Sequence, residues 1–175
     1  MDDQQEISHT QLAYLGGLID GEGSVGITVS HKKGRSPRNG VSFQLLPFIQ
    51  FSNTEKVLVD FYTKTLDGLG VAYYVSHREA QGRNAENWHV ATRGLKRCMK
   101  LLPYVKQWCI GKKRQNATDL MEYCDLRLAD WLGAPFTERQ IELARQISLR
   151  NYGAKWEPIL RDYTRSSRSS KFPNG

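Results

Sequence analysis

Asp20 and Glu22, separated by a single glycine, are the pair of side chains in this sequence best placed to do chemistry together. They end the segment TQLAYLGGLID (residues 10–20), in which Leu12, Leu15, Leu18 and Ile19 recur at three- and four-residue spacing. That period predicts an amphipathic helix with Thr10 as its N-cap. The acids then fall at the helix C-terminus, where the macrodipole is negative and carboxylates are disfavoured. A divalent cation would offset the repulsion, because Mg²⁺ is typically held by one or two carboxylates completed by phosphate oxygens and water. A solvated turn rich in acids and glycines is the plainer alternative.

The same helix is stripped of bulk at Ala13, Gly16, Gly17 and Gly21, although each glycine costs up to ~1 kcal/mol of helix propensity. Small residues let a second helix backbone come close. The segment occurs once in the chain, so a partner helix of the same kind belongs to a second copy. A two-fold homodimer brings one patch together from both subunits, here Ala13, Gly16, Gly17 and Asp20.

These residues depend on the elements around them. Gly21 and Gly23 suit a helix stop, after which SVGITVSHKK alternates as a strand, Val25, Ile27 and Val29 one way and Gly26, Thr28 and Ser30 the other. KKGRSPRNG (residues 32–40) is a basic turn, and VSFQLLPFIQF a second strand interrupted by Pro47. Ser52, Asn53 and Thr54 offer N-caps to a helix whose apolar face is Val57, Leu58, Phe61, Leu66 and Leu69, ending at Gly68 or Gly70. VAYYVSHR and NWHVATR read as a second hairpin across the polar loop EAQGRNAE. Residues 94–102 and 112–128 read as helices broken at Pro103 and Gly111, and Thr137 with Gln140 forms a capping box for a last helix. The order is α-β-β-α-β-β-α-α-α. We expect one domain over residues 1–165 and a mobile basic Ser/Arg-containing tail over 166–175.

Lys and Arg number 25 against 18 acidic residues, a formal charge of +7, which favours a polyanionic partner. Cys98, Cys109 and Cys124 are odd in number and lack a CxxC pair, against a disulfide framework or a zinc site. The polar start MDDQQEISHT lacks an apolar core, and no stretch reaches the ~20 apolar residues of a membrane span. An intracellular protein, cytoplasmic or organellar, without a membrane partner is the expectation. His9, His31, His77 and His89 show no metal-ligand spacing.

Leu15 to Gly23, LGGLIDGEG, resembles the LAGLIDADG motif of a family of homing endonucleases. It differs by Gly for the first Ala, Gly for the second and Glu for the last Asp, which keeps the pattern of small residues and acids. The αββαββα order over residues 10 to about 128 resembles the family arrangement. The resemblance, to the single-motif homodimeric type, implies an α/β (α+β) fold with a saddle-shaped antiparallel four-stranded sheet per subunit and C-terminal helices. It implies a site-specific endonuclease encoded by a mobile intron. Such an enzyme hydrolyses both strands of a long pseudo-palindromic DNA across the minor groove, leaving short 3′ overhangs. The cofactor implied is Mg²⁺, with Mn²⁺ or Ca²⁺ able to replace it in binding.

Carried over residue by residue, Glu22 is the metal ligand, with the Gly21 carbonyl as a second donor. Asp20 is foremost a helix-end hydrogen-bond partner. The run GKKRQNA (residues 111–117) resembles the family's basic active-site segment, with Lys112 matching best. Gln50 and Asn53 both remain candidates for the polar active-site position. The sheet would lie in the major groove, with Thr28, Ser30, Lys32, Lys33, Arg35, Arg38, Gln44, Tyr74, Ser76, Arg78, Asn87 and His89 facing DNA. Arg and Gln read base edges, and Lys binds phosphate. Leu46 and Phe48 interrupt this polar face, as thymine-methyl contacts or as core residues at a bulge, and packing is the reading we favour. Two alternatives stay open: an RNA-binding intron-splicing maturase, which would take intron RNA as partner, and a non-catalytic DNA-binding regulator.

Overall fold

The computed structural model describes residues 7–31, 43–83, 85–130, 134–156 and 160. Among these residues five helices and four strands follow in the order α1 (His9–Glu22), β1 (Gly23–His31), β2 (Phe43–Asn53), α2 (Lys56–Gly68), β3 (Tyr74–Arg78), β4 (Asn87–Arg93), α3 (Leu95–Trp108), α4 (Gly111–Ala129) and α5 (Glu138–Tyr152). A 3₁₀ turn at Gly153–Trp156 follows α5. The basic turn with Lys32, Lys33, Arg35 and Arg38, and the C-terminal tail, lie outside the described residues.

The strands form one antiparallel sheet in the order β1-β2-β4-β3. Alternation along each strand gives it two unlike faces. One face carries Val25, Ile27, Val29, Leu45, Ile49, Phe51 and Val90, all buried in a core shared with helical residues such as Leu15, Ile19, Tyr62, Leu101, Leu120 and Leu143. The opposite face holds Ser24, Thr28, Gln44, Gln50, Ser52, His89 and Ser76, brought together by the cross-strand register. Sequence alternation alone separates these sets, because a one-residue slip would turn every apolar side chain outward.

Several sequence expectations are corrected by packing. The cap of α1 is Ser8 rather than Thr10: the Ser8 hydroxyl accepts the Gln11 N–H at 3.2 Å while the Gln11 amide oxygen accepts the Ser8 N–H at 2.8 Å, and this reciprocal pair outbids a lone threonine. Gly21 stays helical and Gly23 ends the helix. Strand β2 runs unbroken through Pro47, without a bulge. The Pro47 carbonyl accepts the Gly94 N–H at 3.0 Å just past the last β4 residue, so the missing proline N–H falls where the β2–β4 ladder has ended.

Pro103 lies inside α3, which continues to Trp108. An internal proline costs ~3 kcal/mol, but Leu101, Leu102 and Val105 on either side of it are fully buried, and each such burial returns about 1.5–3 kcal/mol. Helix α4 starts at Gly111, whose φ of +52° is open to glycine at little cost. In α2 the buried face is Val59, Tyr62, Thr65 and Leu66, while Val57 is exposed, because Tyr62 stacks on Phe51 of the sheet with ring centroids 4.8 Å apart.

The last helix opens with the expected box, the Thr137 hydroxyl accepting from Gln140 N–H at 3.2 Å and Gln140 accepting from Thr137 N–H at 3.1 Å. It docks on the outer edge of β1 through a polar cluster absent from the sequence reading. Asn116 and Asn151 both donate to the Val25 carbonyl, at 3.0 and 2.8 Å, and Arg150 donates to Asn116 at 2.6 Å while pairing with buried Asp119. An edge strand's free carbonyl is thereby covered. The three cysteines are buried and form no disulfide, and burial pushes the Cys98 and Cys109 thiols up to about 12. Among the described residues no helix is long and apolar enough to cross a membrane.

Candidate active site

The end of α1 delivers Asp20 and Glu22 into different surroundings. The Asp20 carboxylate accepts the Ile110 N–H at 2.9 Å, at the N-cap of α4, where no side chain of the cap itself does so. An acid disfavoured at one helix C-terminus is thus stabilised by another helix's N-terminus. Lys113 Nζ donates to the carbonyls of Ile19 and Asp20, which closes the last turn of α1. Its ammonium is held below the usual lysine value, first by burial and also by neighbouring Lys112, while Asp20, Cys109 and Glu22 pull the other way.

Lys113, not Lys112, is therefore the lysine brought to the acids. Lys112 is exposed, since one residue along a helix turns the side chain by about 100°. Glu22 is exposed, and among the described residues nothing donates to its carboxylate. Nor do three or more His, Cys, Asp or Glu side chains converge anywhere among them. At the end of α1 the described residues thus offer a single open carboxylate, that of Glu22, a donor set that suits a cation completed by substrate phosphates and a second carboxylate.

Gln50 and Asn53 are separated by strand parity. Gln50 pairs with Ser24, two residues beyond Glu22, on the polar face. Asn53 is in register with Trp88 and spends its side-chain oxygen on the Glu55 N–H at 2.8 Å, starting α2. Of the two, Gln50 shares a face with the Glu22 end of the sheet.

Register puts Thr28, Gln44, Tyr74, Ser76, Arg78, Asn87 and His89 on the same face, with Ser30 opposite Gln44. Tyr74 is positioned by Arg97, whose guanidinium donates to the phenol at 2.5 Å and lies 5.1 Å from the ring centroid. His89 Nδ1 is 2.8 Å from the Ser52 hydroxyl. Burial, and then the charge of Arg93, hold the imidazole below its ordinary value of 6.5. The unfolded chain then binds the proton more readily, so His89 contributes stability that is present above pH 6.5 and lost as pH falls through the folded value. Thermal melts from neutral pH to about pH 5 should show wild type losing more stability than His89→Gln; equal losses would remove His89 as the source.

The glycines of α1 also divide. A Cβ on Gly16 would lie 2.6 Å from the Trp108 Cβ and 2.8 Å from the Trp108 carbonyl oxygen, so Gly16 is spent on packing within its own chain. Gly17 and Gly21 face open space and Ala13 is exposed. Phe48, though on the polar face, is 3 % exposed, whereas Leu46 is 44 % exposed.

No family model and no curated protein matches the sequence. Solved structures do. The homing endonuclease I-CvuI, in complex with the I-CreI DNA target, is 15% identical over 90% of this chain and 94% of its own, with a TM-score of 0.65. An archaeal intron-encoded homing endonuclease, I-Vdi141I, in complex with DNA is 16% identical over 89% of this chain and 97% of its own, TM-score 0.60. The LAGLIDADG homing endonuclease I-LtrWI, bound to target DNA, is 17% identical over 84% of this chain but 46% of its own, TM-score 0.60. With LGGLIDGEG on the helix that feeds its first strand, the chain carries the fold of the LAGLIDADG homing endonucleases.

Proposed function

We propose that this protein is a homodimeric, divalent-metal-dependent endonuclease that makes a double-strand break at a specific pseudo-palindromic DNA site. The observation that carries the reading is the open Glu22 carboxylate at the root of a polar sheet face, beside a half-buried lysine.

Glu22 and the Gly21 carbonyl would hold the metal. When bound, Mg²⁺ neutralises charge on the scissile phosphodiester and withdraws electrons from its oxygens. Lys113, anchored by two carbonyls, brings a fixed positive charge toward the phosphate. Gln50 supplies an amide on the same face, suited to orienting the attacking water. The water adds its oxygen to phosphorus, the bond from phosphorus to the leaving 3′ oxygen of the deoxyribose breaks, and that oxygen takes up a proton given up by the water. The sheet holds the duplex in register, with Thr28, Gln44, Ser76, Arg78, Asn87 and His89 toward the bases.

One chain has one such carboxylate and cuts one strand. A second copy across Ala13 and Gly17 supplies the other, which agrees with this chain spanning nearly all of I-CvuI but under half of I-LtrWI. A DNA substrate is met inside the cell, and the cytoplasm or an organelle is the compartment this reading expects.

The direct test is selection from a randomised pseudo-palindromic DNA library, followed by digestion with and without Mg²⁺. Discrete double-strand cuts are expected, and Lys113→Met should slow them by on the order of a hundredfold while retaining the selected site. A site bound but uncut with every divalent metal would favour a regulator. Selection of structured RNA in place of DNA would favour a maturase.

A further inference from the structure

Leu46 is an apolar side chain on the polar face of the sheet, and intramolecular packing leaves it open. It is 44 % exposed, and it lies outside the buried core and outside the partly buried shell against that core. Phe48, the next residue of this strand on the same face, is covered beside Gly26 and Asn151, so the exposure of Leu46 is particular to its position. Directly opposite is Thr28, also exposed; facing residues in an antiparallel pair hold their Cβ atoms about 5 Å apart. Together they set a patch of methyl groups among hydroxyls, amides and imidazole.

Resting on the endonuclease reading above, we propose that Leu46, assisted by the Thr28 methyl, recognises the 5-methyl group of a thymine in each half of the DNA target. In the major groove that methyl is the apolar feature among the base-edge donors and acceptors. An exposed leucine cannot satisfy a donor or acceptor, so over any other base it leaves a polar edge dehydrated and unpaired. The position along the target follows from the strand. Thr28 is six residues beyond Glu22, about 20 Å at a strand rise of ~3.3 Å per residue, or about six base pairs from the scissile phosphate at ~3.4 Å per pair.

The test replaces each thymine of the selected target, singly and in symmetric pairs, with uracil, which removes the methyl and leaves the pairing edge intact. Competition binding and cleavage are then read for wild type, Leu46→Gln and Thr28→Ser. Wild type should lose about fourfold in affinity per methyl, and about fifteenfold for the symmetric pair, at one position about six base pairs out. Leu46→Gln should show no preference between thymine and uracil there, and Thr28→Ser a reduced one. The proposal is overturned if uracil is tolerated at every position by wild type, or if Leu46→Gln keeps the discrimination. Cleavage that persists in either case leaves the endonuclease reading standing, whereas a wild type that selects no DNA overturns both.

Discussion

Glu22→Gln should abolish DNA cleavage, by on the order of a thousandfold or more, while binding of the selected site changes by only a fewfold. The substitution keeps shape and removes one negative charge from a side chain that is exposed and unpartnered among the described residues. No hydrogen bond among the described residues ends on it, and its charge is the smallest of those acting on Lys113. Removing a carboxylate from a helix C-terminus should even raise stability slightly, by about 0.3–1 kcal/mol, so the variant would be as stable as wild type or more so, and inactive. Asp20→Asn should behave in the opposite order, losing stability first, by about 1–2 kcal/mol, because the Asp20 carboxylate holds the Ile110 N–H and sits against Lys113. Single-turnover cleavage, gel-shift binding and thermal melts on the two variants separate these roles. Cutting by Glu22→Gln at the wild-type rate would place the metal on other residues.

The second large effect divides two adjacent glycines. Gly16→Ala should destabilise each subunit by about 2 kcal/mol, since the added Cβ meets the backbone carbonyl of Trp108 at 2.8 Å and cannot rotate away. Gly17→Ala faces open space within the chain, so it should stabilise an isolated subunit by up to ~1 kcal/mol of helix propensity. In a dimer built on α1 the same position is the contact, and Gly17→Leu should convert dimer to folded monomer and stop double-strand cleavage. Sedimentation equilibrium on the Gly17 variants and urea melts on Gly16→Ala report the two effects independently. A Gly17→Leu protein that stays dimeric and cuts would refute the α1 interface.

Much of the architecture was legible because it obeys short-range rules. The three- and four-residue spacing of Leu12, Leu15, Leu18 and Ile19 made α1, the alternation of Val25, Ile27 and Val29 made β1, and the Thr137 and Gln140 box opened α5. The helix and strand order followed, and so did the polar face carrying Thr28, Gln44, Ser76 and His89. The motif LGGLIDGEG named the acids before any contact was known. By itself, then, the sequence determined which elements form, which side of each is apolar, and where the candidate chemistry begins.

Only the tertiary structure decided how those elements are phased against one another. Lys113 rather than Lys112 reaches α1 because α4 starts at Gly111 and its first turn sets the rotation. Gln50 and Asn53 part because β2 is in register with Ser24 and Trp88, and a three-residue separation in a strand puts them on opposite faces. Gly16 and Gly17 look alike in sequence, yet Trp108, distant along the chain, fills the space beside one of them. The edge of β1 is closed by Asn116, Arg150 and Asn151 from two other helices. Local periods are set by bonds between near neighbours. The angular phase and register that bring Glu22, Lys113 and Gln50 to one end of the sheet come from burying a shared core, which no window of sequence contains.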